Sequence, residues 1–201
     1  VVVGAYRYDG GQENEGAAFL YLGSASGLSA AADWVGESNQ SGAWFGRSVS
    51  SAGDVNGDGY ADVVIGAPFY DDGEANEGRA FVYLGSSSGL SVAAPWTAEP
   101  DQMNANFGLS VSSAGDVNAD GYADLVGGAY SSDDGDSDEG RAFVYLGSAS
   151  GLAATADWTA EPDQVDAYFG ISVSSAGDVN GDGYADLVVG AYYYDNGQTN
   201  E

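Results

Sequence analysis

The chain has 201 residues, 44% of them apolar, so it is long enough to bury a core and too apolar to be disordered. Its 31 acidic and 4 basic residues give a formal charge of −27, which excludes nucleic acid as a partner because cations are needed to bind a polyanion. Cysteine and histidine are absent, which excludes disulfides, thiolate metal sites and the side chain most often used as a general base.

The apolar runs and the first residues give two further expectations. No apolar run approaches the ~18 residues of a membrane span, so membrane insertion is not expected. The opening VVVGAYRYDG has neither an initiator Met nor a signal peptide, which suggests a piece of a longer protein. The acidity itself indicates a charged, solvated surface, binding of multivalent cations, or both.

A repeat of 62 residues organises the chain. Phe-Gly pairs recur at this step, at residues 45, 107 and 169, and so do Trp34, Trp96 and Trp158. Residues 1–15 are in phase with residues 187–201. A fixed period of this size indicates stacked or radially arranged supersecondary units. The aromatic residues that keep this phase are expected to lie in the core.

Each period predicts four short strands separated by Gly, Asp, Asn and Ser. In the second copy these cover residues 107–115, 123–130, 140–147 and 154–161. Strands in this order pair as an up-and-down antiparallel sheet, and radial packing buries both faces of such a sheet. The predicted fold is therefore all-β, with β-propeller blades of four antiparallel strands in three repeats, as a partial propeller or a fragment of a longer one.

The phase of the repeat also predicts blade boundaries within one propeller segment. Residues 1–44 would form a partial blade with strands two to four. Residues 45–106 and 107–168 would each form a complete blade. Residues 169–201 would form a partial blade with strands one and two.

An Asp-rich loop follows the first strand of each copy. It reads DVNGDGYAD at 54–62 and 178–186, and DVNADGYAD at 116–124; these are named the Asp-rich loops. Oxygen atoms at alternating positions of a tight loop converge on one ion, and calcium takes six to eight oxygens at about 2.3–2.6 Å. In the first loop the candidate ligands are Asp54, Asn56, Asp58, the carbonyl of Tyr60, and Asp62.

Two other interpretations of these loops were weighed. An EF-hand needs a Glu at the twelfth position and flanking helices, but that position is Ile65, Gly127 or Val189 and the flanks are strand-like. The residues could instead form simple Asx-type turns. One such residue is enough for a turn, whereas four oxygen side chains recur in every copy, which favours the ion.

Phe-Gly, the Asp-rich loop and then Gly-Ala-Pro at 66–68 resemble the FG-GAP repeat, found in integrin α-subunit propellers and in many secreted bacterial proteins. The resemblance covers essentially the whole chain. It implies a propeller, usually seven-bladed, with calcium between strands one and two. The ligands it implies are Asp54, Asn56, Asp58, Tyr60 and Asp62; Asp116, Asn118, Asp120, Tyr122 and Asp124; and Asp178, Asn180, Asp182, Tyr184 and Asp186.

This chain departs from the family pattern in two ways. Gly-Ala-Tyr replaces Gly-Ala-Pro at 128–130 and 190–192, which alters the strand exit and not the ion site. Three periods also fall short of the roughly four to eight blades that close a ring.

A second series of acidic loops keeps the same phase between strands two and three. These second acidic loops run over residues 9–15, 71–77, 133–139 and 195–201, and each begins with Asp and ends with Glu. We expect solvated loops with Glu77 and Glu139 near Arg79 and Arg141; a weak cation site or a recognition face is the alternative. The aromatic residues Tyr8, Phe69, Tyr70, Tyr193 and Tyr194 at their starts are expected to pack between blades.

Catalysis is not expected, because without His, Cys or Lys no familiar pair of nucleophile and base can form. The leading hypothesis is an extracellular or cell-surface propeller module with about one structural calcium per Asp-rich loop. Its partner would be a protein or glycan ligand on the cell surface or matrix, for adhesion or recognition. The alternatives are a surface filament or sheath built from copies of the chain, and a non-catalytic domain of a secreted hydrolase.

Overall fold

The computed structural model describes residues 1–197, which form fifteen β-strands and no helix. Accordingly, nothing in this part of the chain is a helix long and apolar enough to cross a membrane. The strands are β1 Val2–Ala5, β2 Ala17–Leu20, β3 Gly23–Ser24, β4 Gly27–Leu28, β5 Trp34–Glu37, β6 Ser48–Gly53, β7 Asp62–Ala67, β8 Arg79–Tyr83, β9 Trp96–Ala98, β10 Ser110–Gly115, β11 Asp124–Ala129, β12 Arg141–Tyr145, β13 Trp158–Ala160, β14 Phe169–Gly177 and β15 Asp186–Ala191.

The strands pair as antiparallel neighbours in chain order, apart from a small separate hairpin of β3 and β4. The sheets are β1-β2-β5, β6-β7-β8-β9, β10-β11-β12-β13 and β14-β15. Two of them have four strands, one has three and one has two. The predicted all-β class and the up-and-down antiparallel unit are confirmed, and the architecture is that of a partial β-propeller.

The Phe-Gly pair of the second copy lies outside the strand predicted to contain it. Strand β10 begins at Ser110 rather than at residue 107, because Phe107 forms an isolated parallel bridge with Gly78 of the sheet before it. Gly108 has φ +87°, which takes the backbone out of the extended region. Each Phe-Gly pair is thus a connection between sheets: Phe45 makes the same bridge to Gly16, and Phe169 to Gly140.

Aromatic side chains fill the space within and between the sheets. The Phe107 ring is fully buried and lies edge-on to Phe143, with ring centroids 5.5 Å apart. The Trp96 ring lies edge-on to Tyr145 of the next sheet at 5.0 Å, and its indole N–H donates to the carbonyl of Ala153 at 2.8 Å. The expected core role is confirmed for these residues. Trp158, in contrast, is 45% exposed.

Neighbouring sheets approach each other most closely at pairs of glycines. A Cβ atom on Gly66 would lie 1.9 Å from the carbonyl oxygen of Gly108, the second residue of the next Phe-Gly pair. The same 1.9 Å separates a Cβ on Gly128 from the oxygen of Gly170. In each pair, one glycine belongs to the Gly-Ala segment of one copy and the other to the Phe-Gly pair of the next copy. The two halves of the repeat motif therefore meet across the sheet boundary.

Replacing Gly66 by Ala is therefore expected to destabilise the protein. The added methyl group must push a backbone carbonyl aside, and overpacking of this kind costs about 1–3 kcal/mol. Urea unfolding followed by circular dichroism measures the change. Gly23→Ala is the matched control, because nothing lies within 4 Å of a Cβ at that position. Equal stability of the two variants would show that the sheets do not pack this closely.

Candidate metal-binding loops

The Asp-rich loops join the first two strands of a sheet, between β6 and β7, β10 and β11, and β14 and β15. The register of each hairpin shifts just before the loop, at residues 51–53 in the first copy. The ninth residue of each loop, Asp62, Asp124 or Asp186, is the first residue of the next strand. All fifteen candidate positions therefore lie at one rim of the sheets, five to a loop.

The first three candidate side chains of a loop turn toward the loop backbone. Asp54 Oδ1 accepts from the amide of Gly57 at 2.7 Å, and its Oδ2 accepts from that of Gly59 at 2.8 Å. Asn56 Oδ1 accepts from the amide of Asp58 at 3.1 Å, and Asp58 Oδ1 accepts from that of Tyr60 at 2.9 Å. These are the bonds of Asx-type turns, so the loop is folded tightly by its own side chains.

The same turn recurs in the other two loops. Asp116 Oδ2 accepts from the amide of Gly121 at 2.8 Å, and Asp178 Oδ2 accepts from that of Gly183 at 2.8 Å. In the third loop the amide of Gly183 is the main cause that lowers the pKa of Asp178. Within residues 1–197 no three Asp or Glu side chains form a ready-made metal site. The ion remains a prediction for these loops.

The ninth residue of the loop is a buried carboxylate. Asp62 is fully buried; its Oδ2 accepts from the amide of Val55 at 2.9 Å and its Oδ1 from that of Gly85 at 2.8 Å. Burial raises the pKa of Asp62, the two amides oppose this, and repulsion from Asp58 and Asp54 raises it further. The loop therefore places the negative charges of Asp54 and Asp58 around a carboxylate that has little access to water.

Asp124 occupies the same environment in the second loop. It is also fully buried, and it accepts from the amides of Val117 at 2.7 Å and Gly147 at 2.8 Å. Burial again raises its pKa, and Asp120 and Asp116 add to the repulsion. Asp186 accepts from the amide of Val179 at 2.8 Å, but it is only partly buried.

Successive Asp-rich loops are bonded to one another, a feature that the sequence analysis missed. The carbonyl of Asp54 accepts from the amide of Ala123 at 2.9 Å, and that of Asp116 accepts from Ala185 at 2.9 Å. The Tyr122 ring lies against Gly57, where a Cβ would be 2.6 Å from a ring carbon. The only sequence signal for these contacts is the Tyr-Ala pair repeated at positions seven and eight of each loop. The sequence predicts only a carbonyl ligand from the tyrosine of this pair.

The prediction for the second acidic loops was wrong for their glutamates. Glu77 and Glu139 are 0% and 1% exposed rather than solvated. Arg79 pairs with Asp72 and Glu99 instead of Glu77. Likewise Arg141 pairs with Asp134 and Glu161. The glutamates are buried because their backbone is bonded to the Phe-Gly pair of the next copy, as in the bond from the Phe107 amide to the Glu77 carbonyl, whereas most other residues of these loops are exposed. Glu201 lies outside the described residues.

The expected packing between blades is found for Phe69 and Tyr193, whereas Tyr8 and Tyr70 pack against a ring of their own sheet. Ring centroids are 5.7 Å apart for Tyr8 and Phe19, 4.7 Å for Phe69 and Trp44, 5.4 Å for Tyr70 and Phe81, and 5.4 Å for Tyr193 and Tyr168. Tyr194 is 40% exposed.

A cluster of arginines and aromatic rings, on the rim that carries the second acidic loops, was not predicted. The guanidinium carbon of Arg7 lies 5.5 Å from the ring centroid of Tyr6 and 5.2 Å from that of Trp44. Arg47 lies 5.6 Å from the Tyr6 ring. Both arginines are exposed, so half of the arginines in this acidic chain lie in one patch. The spacing of the sequence does not predict this cluster, because residues 7 and 47 come from different copies of the repeat.

Comparison with known proteins agrees with this geometry. The FG-GAP repeat family matches residues 45–83, 107–145 and 169–201, more than half of the chain. The chain therefore belongs to the FG-GAP repeat family.

Its relatives include several integrin alpha chains. It is 34% identical over 161 residues to integrin alpha-IIb of Mus musculus, covering 76% of this chain and 15% of that protein. It is 37% identical over 172 residues to integrin alpha-PS2 of Drosophila melanogaster, covering 78% and 12%. Integrin alpha-3 of Cricetulus griseus is 32% identical over 203 residues, covering 95% and 18%. The chain spans less than a fifth of the length of these relatives.

The second Asp-rich loop contains a strained residue whose replacement should stabilise the protein. Ala119 has φ +59°, where the other two loops have Gly57 and Gly181. A left-handed conformation costs a residue with a Cβ about 1–2 kcal/mol, and glycine loses part of this gain to unfolded-state entropy. We expect Ala119→Gly to raise the free energy of unfolding by about 1 kcal/mol in urea titrations.

The reverse change in the first loop is the control. Gly57→Ala should destabilise, because φ is +73° there and the new Cβ would lie 2.6 Å from the Tyr122 ring. If Ala119→Gly gives no gain, the loop does not hold its backbone in the left-handed region.

Proposed function

We propose that the chain is part of an extracellular or cell-surface β-propeller that binds calcium structurally and recognises a protein or glycan ligand. The observation that carries the proposal is the row of three Asp-rich loops. Each contains a carboxylate-rich turn, and backbone hydrogen bonds join the first loop to the second and the second to the third. Membership of the FG-GAP family and similarity to integrin alpha chains support the adhesion or recognition role. The role requires no catalysis.

Calcium suits the donor set of these loops. The side chains offer only oxygen, which hard cations prefer, and the repulsion that Asp54 and Asp58 exert on Asp62 would be relieved by a bound dication. Asp54, Asn56, Asp58, Asp62 and the carbonyl of Tyr60 would hold the ion in the first loop.

The other two loops offer the same ligands. They are Asp116, Asn118, Asp120, Tyr122 and Asp124 in the second loop, and Asp178, Asn180, Asp182, Tyr184 and Asp186 in the third. Bound calcium would supply positive charge that holds each loop, and through the loop-to-loop bonds the neighbouring sheets, together.

The recognition face is proposed to lie on the opposite rim, around Arg7, Arg47, Tyr6 and Trp44. Arginine stacked on aromatic rings is enriched where proteins bind partners, because the rings supply apolar area and the guanidinium supplies directed hydrogen bonds. Tyr6 is 37% exposed, so its ring remains accessible beside both arginines. An acidic or hydroxyl-rich surface of a ligand would suit this patch best.

Calcium should raise the melting temperature of the chain. A single site at one hundred times its Kd stabilises by about 2.7 kcal/mol, which is a shift of at least about 5 °C for a chain of this size. We expect this rise in millimolar calcium at low salt, and its loss with chelator, by differential scanning calorimetry. Equal melting temperatures in calcium and chelator would mean that the loops are only turns.

One matched pair of variants separates the ion from the turn. Asp58→Asn keeps an oxygen to accept from the Tyr60 amide but removes a charge, so it should reduce the calcium-induced rise and leave the chelated protein as stable as before. Glu13→Gln removes the same charge from an exposed position and should behave as the unaltered chain. A calcium response that is equal in both variants would contradict the assignment of Asp58.

Association of copies is the second candidate function, because apolar side chains are exposed on the outer sheets. Val3 and Val35 of the first sheet are 45% and 48% exposed, and Val188 of the last is 56% exposed. Either another sheet of the same protein or a second copy would cover such surfaces.

Light scattering distinguishes a recognition module from a filament or sheath. For the module we expect one discrete mass in millimolar calcium, because the binding patch does not propagate contacts. Growth into elongated, polydisperse species in calcium, reversed by chelator, would instead support the structural role. Val188→Ser is the control, since it should suppress growth that proceeds through the exposed sheet.

A further inference from the structure

Each second acidic loop places a glutamate in a fixed position under the loop. The Glu77 carbonyl accepts from the amide of Phe107 at 2.8 Å, and the next residue, Gly78, forms the bridge to that phenylalanine. At the start of the loop, Asp71 Oδ1 accepts from the amide of Asn76 at 2.6 Å. The Glu77 backbone is therefore held by the neighbouring sheet.

The Glu77 carboxylate is directed back into its own loop, and one of its oxygens has no partner. Oε1 accepts from the amide of Asp72. Glu77 is 0% exposed, and in the part of the chain that the structure describes, its Oε2 is the one buried side-chain polar atom without a hydrogen bond. A buried carboxylate oxygen left in this way costs free energy unless a proton or a cation reaches it.

The corresponding glutamate of the first copy receives more hydrogen bonds from the backbone at its Oε1. Glu15 Oε1 accepts from the amides of Gly10 at 2.7 Å, Gly11 at 2.5 Å and Gln12 at 3.1 Å. The amides of Gln12 and Gly11 are the main causes that lower the pKa of Glu15. The first copy shows that the position itself can hold an ionised glutamate without any cation.

The two copies also differ in the charge of the loop. Gly10 and Gln12 are replaced in the second copy by Asp72 and Glu74, so carboxylates stand where the first loop has uncharged residues. The nearest cation does not compensate Glu77, because Arg79 pairs with Asp72 and Glu99.

The surroundings of Glu77 are acidic. Burial raises the pKa of its carboxyl, the amide of Glu74 opposes this, and the charges of Asp101, Glu74 and Asp71 raise it further. Glu74 and Asp101 are exposed at the surface above the buried carboxylate. A buried carboxylate oxygen with two exposed carboxylates near it is an arrangement that suits a hard dication.

We propose that Glu77 Oε2, with Glu74 and Asp101, forms a second class of divalent-cation site, on the rim opposite the Asp-rich loops. The first copy has no such site, because three amides converge on Glu15 Oε1 and the residues equivalent to Glu74 and Asp101 are the uncharged Gln12 and Asn39. The site is separate from the proposed calcium loops, since residues 71–77 and 54–62 lie at opposite ends of β7. The exposed side chains of Glu74 and Asp101 would turn toward the buried Glu77 oxygen to complete the site.

Paramagnetic broadening by Mn²⁺ tests the site directly in the full chain. In ¹⁵N-labelled protein at pH 7, substoichiometric Mn²⁺ should broaden the amide signals of residues 72–78 more strongly than those of residues 10–16. Glu77→Gln should abolish the broadening at 72–78, whereas Glu15→Gln, the matched change in the first copy, should leave it intact. Broadening at 56–60 reports the proposed calcium loops separately, so the two proposals can fail independently.

Two results would overturn the second site. One is equal broadening at 10–16 and 72–78, which would show general attraction of cations to acidic loops. The other is broadening at 72–78 that persists in Glu77→Gln. Should that variant not fold, the ¹³C signal of the Glu77 carboxyl in the unaltered chain decides: substoichiometric Mn²⁺ should broaden it strongly, and a signal that stays sharp excludes the site.

Discussion

The contact of glycine against glycine across each sheet boundary is the constraint on which the rest of the structure depends. A Cβ on Gly66 would lie 1.9 Å from the Gly108 oxygen, so the backbones touch with no side chain between them. This approach lets Phe107 bridge to Gly78 and donate to the Glu77 carbonyl. The burial of Glu77 beneath the next copy and the bonds between successive Asp-rich loops both accompany this close approach of neighbouring sheets.

The up-and-down order of the strands places the two kinds of acidic loop on opposite rims. On the Asp-rich rim, carboxylates lie close together and one in each of the first two loops is buried, as at Asp62. On the other rim, Arg79 and Arg141 neutralise part of the charge, and Arg7 and Arg47 lie on aromatic rings. A chain with a formal charge of −27 thus has its four arginines on one rim and none beside the Asp-rich loops.

Periodic features were predicted well because each copy repeats the same local environment. The strands β10 to β12 lie within the ranges predicted for them, and the Asp-rich loops occupy the predicted turns. The prediction was less accurate where a residue serves the neighbouring sheet. Phe107 was assigned to a strand interior but bridges to Gly78, and Glu77 was expected in solvent but lies under the next copy. The spacing within one copy carries no information about contacts to another.

The sequence by itself determined the repeat, the all-β class, the positions of the turns and the residues that could bind a cation, because these depend on local spacing and side-chain chemistry. The tertiary structure decided which carboxylates are buried, which are paired with arginine and which are left with an orphan oxygen. Glu15 and Glu77 occupy equivalent positions, yet three backbone amides reach Oε1 of Glu15, whereas Oε1 of Glu77 accepts from the amide of Asp72 and its Oε2 has no partner. That distinction depends on how the chain folds around each carboxylate, and the spacing of the sequence does not express it.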